Sequence, residues 1–163
     1  MQNIKAVTKS ILFLGALFSV CSCGKKENTW FDNTFHEGKY NINSSQFFSA
    51  QEGDYYIYYY SLYCNLCTQM RNDILTFMDN VENQVYILGA QNLTEEEIAS
   101  FKEVKKNFTK DDIALMNEEM IGKSDIKDIY LIGTPMIFKV SEHKISEVYS
   151  GAAAVHSFIE KWL

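Results

Sequence analysis

Apolar and polar positions along this chain alternate between two periods, and the change of period marks its elements. "DYYIYYYS", Asp54 to Ser61, is aromatic or β-branched at almost every position over strand length. A strand flanked and covered on both faces is apolar throughout, so this segment predicts a central buried strand rather than an exposed stacking surface. "QVYILGA", Gln84 to Ala90, predicts a second strand. Between the two, Met70, Ile74, Leu75, Phe77 and Met78 recur at helical spacing, which predicts one helix from about Cys64 to Asn80.

Beyond Ala90 the chain is charged. Thr94 with Glu97 forms a capping-box signature, and Ile98, Phe101, Val104 and Phe108 follow at helical spacing. Thr109 with Asp112 repeats the signature ahead of "IALMNEEMIG", where Gly122 is the expected C-cap, and Ser124 or Asp125 opens a further short turn. "TPMIFKV" and "KISEVYS" predict two strands around the turn "SEHK". A last helix over Ala152 to Leu163 buries Val155, Phe158, Ile159 and Trp162. Ahead of all this, "KYNI" suggests a short strand, and Ser44 or Ser45 caps a short helix ending at Gly53. Strands alternating with helices, then a hairpin and a helix, predict an α/β fold: a mixed sheet with helices on both faces.

Composition narrows the functions open to this fold. At 163 residues and 47% hydrophobic content the chain can bury one good core, and nothing marks a second domain. Its net charge of -6 excludes non-specific nucleic-acid binding, which needs basic patches that release counterions. Lys105-Lys106 is a solvated helix face, and Glu95 to Glu97 is a first helical turn whose carboxylates meet the positive end of the helix dipole. No nucleophile elbow and no phosphate-binding glycine loop is present.

The N-terminus has the pattern of an export signal over residues 1–22. Lys5 and Lys9 precede an uncharged apolar core, "ILFLGALFSV", too short to span a bilayer as a permanent helix. "VCSCGKK" follows, with small Ser22 before Cys23 and Val20 three positions upstream, and resembles the lipobox of bacterial lipoproteins. That resemblance implies cleavage before Cys23, lipid attachment to its thiol, and a protein held on the outer side of a bacterial membrane. Cys21 fits badly as the modified residue, since Val20 would then stand where a small side chain belongs. Loss of the two signal lysines leaves thirteen basic and twenty-one acidic residues, net -8. Residues 23–38 form a polar tether, and the domain occupies 39–163. Processing leaves Cys64 and Cys67 as the remaining free thiols, in a compartment where disulfides form and persist.

Two residues between thiols suit a metal half-site, a structural staple or a reactive dithiol equally. Zinc needs about four nitrogen or sulfur ligands, and His36, His143 and His156 fall in a tether, a turn and a surface helix. We therefore expect no metal and no cofactor. The wider pattern is more specific: a buried strand runs into C-x-x-C at a helix start, then come "IGTP", a hairpin, Gly151 and an amphipathic helix. From about Lys39 to Leu163 this resembles the thioredoxin-like family, and the single proline of the chain, Pro135, stands where that family has a cis-proline facing the dithiol.

The resemblance implies a thiol-disulfide oxidoreductase, with Cys64 the attacking and Cys67 the resolving thiol. It implies that Thr134 offers its backbone to an extended substrate segment beside Pro135, and that Tyr63 flanks the reactive sulfur where many members have tryptophan. Expected partners are protein or peptide thiols and disulfides, together with a membrane redox partner that resets the pair. Three positions depart from reducing thioredoxins. Asn65-Leu66 replaces their Gly-Pro, Tyr58 stands where they bury an aspartate, and Thr68 replaces a common lysine. The direction of exchange (reductase, oxidase or isomerase) therefore stays open. So does a second class of function, a thioredoxin-like accessory or binding module for an exported peptide or membrane complex. Residues of about 91–130 exceed the minimal family domain by one helical hairpin, which we expect beside the active site.

Overall fold

The computed structural model describes residues 40–163. The signal, Cys23 and the tether through residue 38 lie outside the described residues. Four strands form one mixed sheet: β1 (Tyr55–Tyr60), β2 (Gln84–Gly89), β3 (Met136–Ser141) and β4 (Lys144–Ser150), in the order β2-β1-β3-β4. β1 is central, parallel to β2 and antiparallel to β3, while β3 and β4 form an antiparallel hairpin. Its two-residue turn places Glu142 and His143 at φ 50° and 60°, the left-handed pair whose twist matches the strands it joins. Among the described residues five α-helices accompany the sheet: α1 (Asn65–Gln69), α2 (Arg71–Asn80), α3 (Glu95–Ser100), α4 (Lys110–Met120) and α5 (Ala152–Ile159). Among the described residues no helix is long and apolar enough to cross a membrane.

The alternation within β1 divides the core in two. Tyr56, Tyr58 and Tyr60 face a cluster containing Cys67, Met70, Ile74, Phe77, Val155 and Ile159, contributed by α1, α2 and α5. Tyr55 and Ile57 face the opposite cluster with Phe47, Phe101, Met120, Ile129 and Phe138. β1 is therefore buried on both sides, which is why its apolar run is unbroken.

Several local expectations are corrected. Of the expected strand "KYNI", the described residues Tyr40 to Ile42 form only a single parallel bridge at Asn41, held on the edge of β2 by hydrogen bonds from Ile87 N to Tyr40 O (2.7 Å) and Ile42 N to Ile87 O (3.0 Å). The short helix ahead of Gly53 is one 3-10 turn, Ser44–Gln46, capped by Asn43 rather than by a serine; Asn43 and Gln46 exchange reciprocal cap bonds. The helix expected over residues 64–80 bends at Met70 (φ -82°, ψ 1°), and the bend keeps Cys67, Met70, Ile74 and Phe77 on one cluster. The helix from Thr94 stops at Ser100. There Lys102 donates to Ile129 O (2.9 Å) and pairs with Tyr130, so tertiary pairing overrides the helical spacing that ran on to Phe108. Phe101 is buried edge-on to Phe47, whereas Ile98 is exposed. Both Thr94 and Thr109 make complete capping boxes. Gly122, just past α4 at φ 78°, donates to Ile145 O (2.8 Å) and docks the end of the helix on β4.

Candidate active site

β1 ends at Tyr60, and a tight turn carries the chain into α1, with Cys64 N donating to Ser61 O (3.1 Å) and Tyr63 N to Ser61 Oγ (3.2 Å). Cys64 takes an extended conformation (φ -91°, ψ 109°) and is the N-cap of α1. Its sulfur stands where a capping oxygen would, accepting from Cys67 N at 3.2 Å. The N-terminal N–H groups of a helix have no partner of their own, so they offer their donors and partial positive charge to this sulfur. Cys67 lies one turn on and is fully buried in the α1–α2 cluster. Both cysteines are free thiols.

Across from them the Thr134-Pro135 peptide is cis. This loop brings Thr134 O within 3.3 Å of Cys64 Sγ, and Pro135 O accepts from Gly151 N at 2.9 Å. Tyr63 is 89% exposed and Leu66 47%, so two large apolar side chains stand in solvent beside the half-buried Cys64. Phe108 and Ile113, both from the stretch beyond β2, join Ile132, Gly133, Thr134 and Gly151 around a hollow of about 130 Å³ on the same loop.

The two thiols have opposite acidities. Burial acts to raise Cys64, but hydrogen bonds from the Cys67 thiol, the Thr134 side chain and the backbone N–H groups of Cys67 and Leu66 outweigh it, and its pKa falls below the ordinary value. Burial pushes Cys67 up to about 11, reinforced by the neighbouring Cys64 sulfur. Cys64 therefore ionises first, as a solvent-reachable nucleophile backed by a protonated, shielded thiol.

Cys64, Cys67, Thr134 and Pro135 are thus brought together, with Tyr63 at the rim pointing into solvent. Cys23 lies outside the described residues. Tyr58 is fully buried in the same cluster as Cys67, against which Cys64 packs. His143 contacts Phe48 O (2.8 Å) and Glu52, and His156 lies near Asp73; neither belongs to the dithiol. Among the described residues no three His, Cys, Asp or Glu side chains converge on a point that could hold a metal. One supporting residue had escaped the sequence reading. Gln91 accepts from Leu62 N (3.3 Å) and donates to the Tyr60 hydroxyl (3.0 Å), tying the turn before Cys64 to the end of β2. Its only signal is a polar side chain directly after a buried strand.

No family model matches the chain, and no curated protein matches it either. Solved structures similar to it include thioredoxins. Reduced Schistosoma mansoni thioredoxin pre-protein is 11% identical, with a TM-score of 0.44 over 76% of this chain and 96% of that one. Thioredoxin from Aeropyrum pernix is 18% identical, with a TM-score of 0.45 over 74% and 81%. Mitochondrial thioredoxin 3 from Saccharomyces cerevisiae is 15% identical, with a TM-score of 0.42 over 74% and 92%. The chain itself has a mixed α/β fold with the strand order β2-β1-β3-β4, a C-x-x-C pair at the start of α1 and a cis-proline ahead of β3, the arrangement that the sequence resemblance implied.

Proposed function

We propose that this protein is an extracytoplasmic thiol-disulfide oxidoreductase, anchored to a bacterial membrane by lipid on Cys23 and working through Cys64 and Cys67. The observation that carries the reading is the asymmetry of the pair: Cys64 Sγ caps α1 with its acidity raised, while Cys67 is sealed behind it and pushed up to about 11. In the reducing direction the Cys64 thiolate attacks one sulfur of a substrate disulfide and expels the other as a thiolate. A mixed disulfide then joins Cys64 to the substrate. Cys67 gives its proton to the departing substrate thiolate and attacks Cys64 Sγ, which closes the Cys64–Cys67 disulfide and expels the second substrate sulfur as a thiolate, protonated from the solvent that took the Cys64 proton. Two electrons and two protons pass to the substrate; oxidation is the same path reversed. Tyr63, Leu66 and the Thr134-Pro135 loop surround Cys64 on the side from which a peptide substrate approaches, and a membrane redox partner resets the pair.

The test is a trap. With Cys67→Ala, expressed in the bacterial host, membrane fractions resolved on a non-reducing gel should show Cys64-dependent mixed disulfides that vanish on reduction. Adding Cys23→Ala should move the same adducts out of the membrane fraction. Absence of adducts, with Cys64 titrating like an ordinary thiol, would sink the redox reading and leave a thioredoxin-like binding module.

A further inference from the structure

Beside the dithiol lies a buried polar group that the chemistry above does not use, the Tyr58 hydroxyl. Tyr58 is fully buried on β1, and its oxygen is shut off from solvent with no hydrogen-bond partner among the described residues. Buried polar groups without partners are rare because they forgo their bonds to water, so a persistent one calls for a reason. Its surroundings supply one. In register it sits between Ile87 of β2 and Ile137 of β3, neither of which offers a polar side chain. Its ring stacks on Tyr60 (centroids 5.8 Å apart, planes at 8°), but the Tyr60 hydroxyl is already bonded to Gln91. α2 and α5 present Ile74, Phe77, Val155 and Ile159 to the same cluster. The titratable groups facing Tyr58 are Cys67 foremost, then Cys64 and Tyr60.

We propose that Tyr58 is a positioning residue for the second thiol: its hydroxyl donates to the Cys67 sulfur when that sulfur ionises, and has no acceptor of comparable strength otherwise. Burial and the adjacent sulfurs hold the phenol proton well above its ordinary range, so Tyr58 donates without ever giving the proton away and is not a base. A neutral thiol is a weak acceptor, whereas a thiolate is a strong one. The hydrogen bond is therefore selective for the moment at which Cys67 must attack the mixed disulfide. This deepens the exchange reading and rests on Cys67 as the resolving thiol, but ionisation of Cys67 is measurable whether or not the protein turns over any disulfide.

The experiment titrates the isotope-labelled β-carbons of both cysteines by NMR in the intact reduced protein. Tyr58→Phe keeps the ring and deletes the donor. At a given pH it should reduce the Cys67 thiolate fraction about tenfold, the scale of one hydrogen bond to a charged group, and move Cys64 far less. Tyr60→Phe, which removes a hydroxyl bonded to Gln91 instead, should move Cys67 far less than Tyr58→Phe does. Fluorotyrosine in place of Tyr58 makes a stronger donor and should move Cys67 the opposite way, which keeps the test open should the Phe variant misfold. Superimposable Cys67 curves for wild type and folded Tyr58→Phe would overturn the proposal, as would no response to fluorotyrosine. If the Cys67→Ala trap yields no adducts but Tyr58→Phe still moves Cys67, the exchange reading fails and the hydrogen bond stands.

Discussion

One strand serves two different faces of this molecule. Toward the cluster around Phe47, Tyr55 is buried with its hydroxyl bonded to Phe47 O at 2.9 Å, and Phe47 in turn meets Phe101 and Phe138 edge-on. Toward the helical layer, Tyr58 is just as buried, but its hydroxyl has no partner among the described residues and lies under two thiols. The same residue type, three positions apart, is satisfied on one face and unsatisfied on the other. The first face is built to hold the sheet together. The second gives up one bond beside the dithiol. Position on the strand, not residue type, separates scaffold from site.

The most damaging way to probe this division is to hollow out the scaffold face. Phe138 is fully buried and packs against Phe47 at 5.2 Å, so Phe138→Ala should cost about 3–5 kcal/mol, seen as a lower midpoint in denaturant unfolding. Alkylation of Cys64 in the still-folded fraction should nonetheless keep its wild-type pH profile. A shifted profile would show that the two faces are mechanically joined.

A gentler pair of substitutions compares the hydroxyls directly. Tyr55→Phe strips the donor from a buried carbonyl and should destabilise by about 1–2 kcal/mol. Tyr58→Phe removes a hydroxyl that has no partner in the reduced protein, so stability should hold within about 0.5 kcal/mol or rise slightly. Parallel chemical denaturation of the two reduced variants decides the matter. Equal losses would mean that Tyr58 is bonded in solution and that the contrast between the faces is not real.

Local chemistry made much of this fold legible in advance. The apolar run of β1, the reciprocal caps at Thr94 and Thr109, and the hairpin around Glu142 and His143 each depend on residues adjacent in sequence, so the pattern carries them. The dithiol was legible for the same reason: Cys64 and Cys67 are placed by one strand end and one helix start. Features made by distant partners were not. α3 stops at Ser100 because Lys102 finds Tyr130, and no spacing rule can see a contact across that distance. Tyr58 was visible as a departure from reducing thioredoxins, but its orphaned hydroxyl became visible only once the strand had been assigned its faces. Gln91 stood out least, since its importance lies wholly in what its side chain reaches.

The smallest effect should come from Gly89, at the end of β2, and it tests whether the turn before Cys64 is held by that reach. The backbone there is ordinary (φ -84°, ψ 122°), so an alanine meets no conformational strain. Its Cβ would nonetheless lie 2.6 Å from Gln91 Nε2 and 3.0 Å from Asn92 Nδ2. Both are tips of flexible side chains, so the fold yields easily, and the lower entropy of the unfolded alanine chain offsets part of the cost. Gly89→Ala should therefore change stability by less than about 1 kcal/mol. What it should remove is the pair of Gln91 bonds to Leu62 N and the Tyr60 hydroxyl. Faster hydrogen exchange at the Leu62 amide, matched by Gln91→Ala, is the expected signature, with a two- to threefold change in Cys64 alkylation rate at most, about 0.5 kcal/mol. If Gln91→Ala frees the Leu62 amide and Gly89→Ala does not, the glycine is not needed to let Gln91 fold back, and the turn is supported by the glutamine alone.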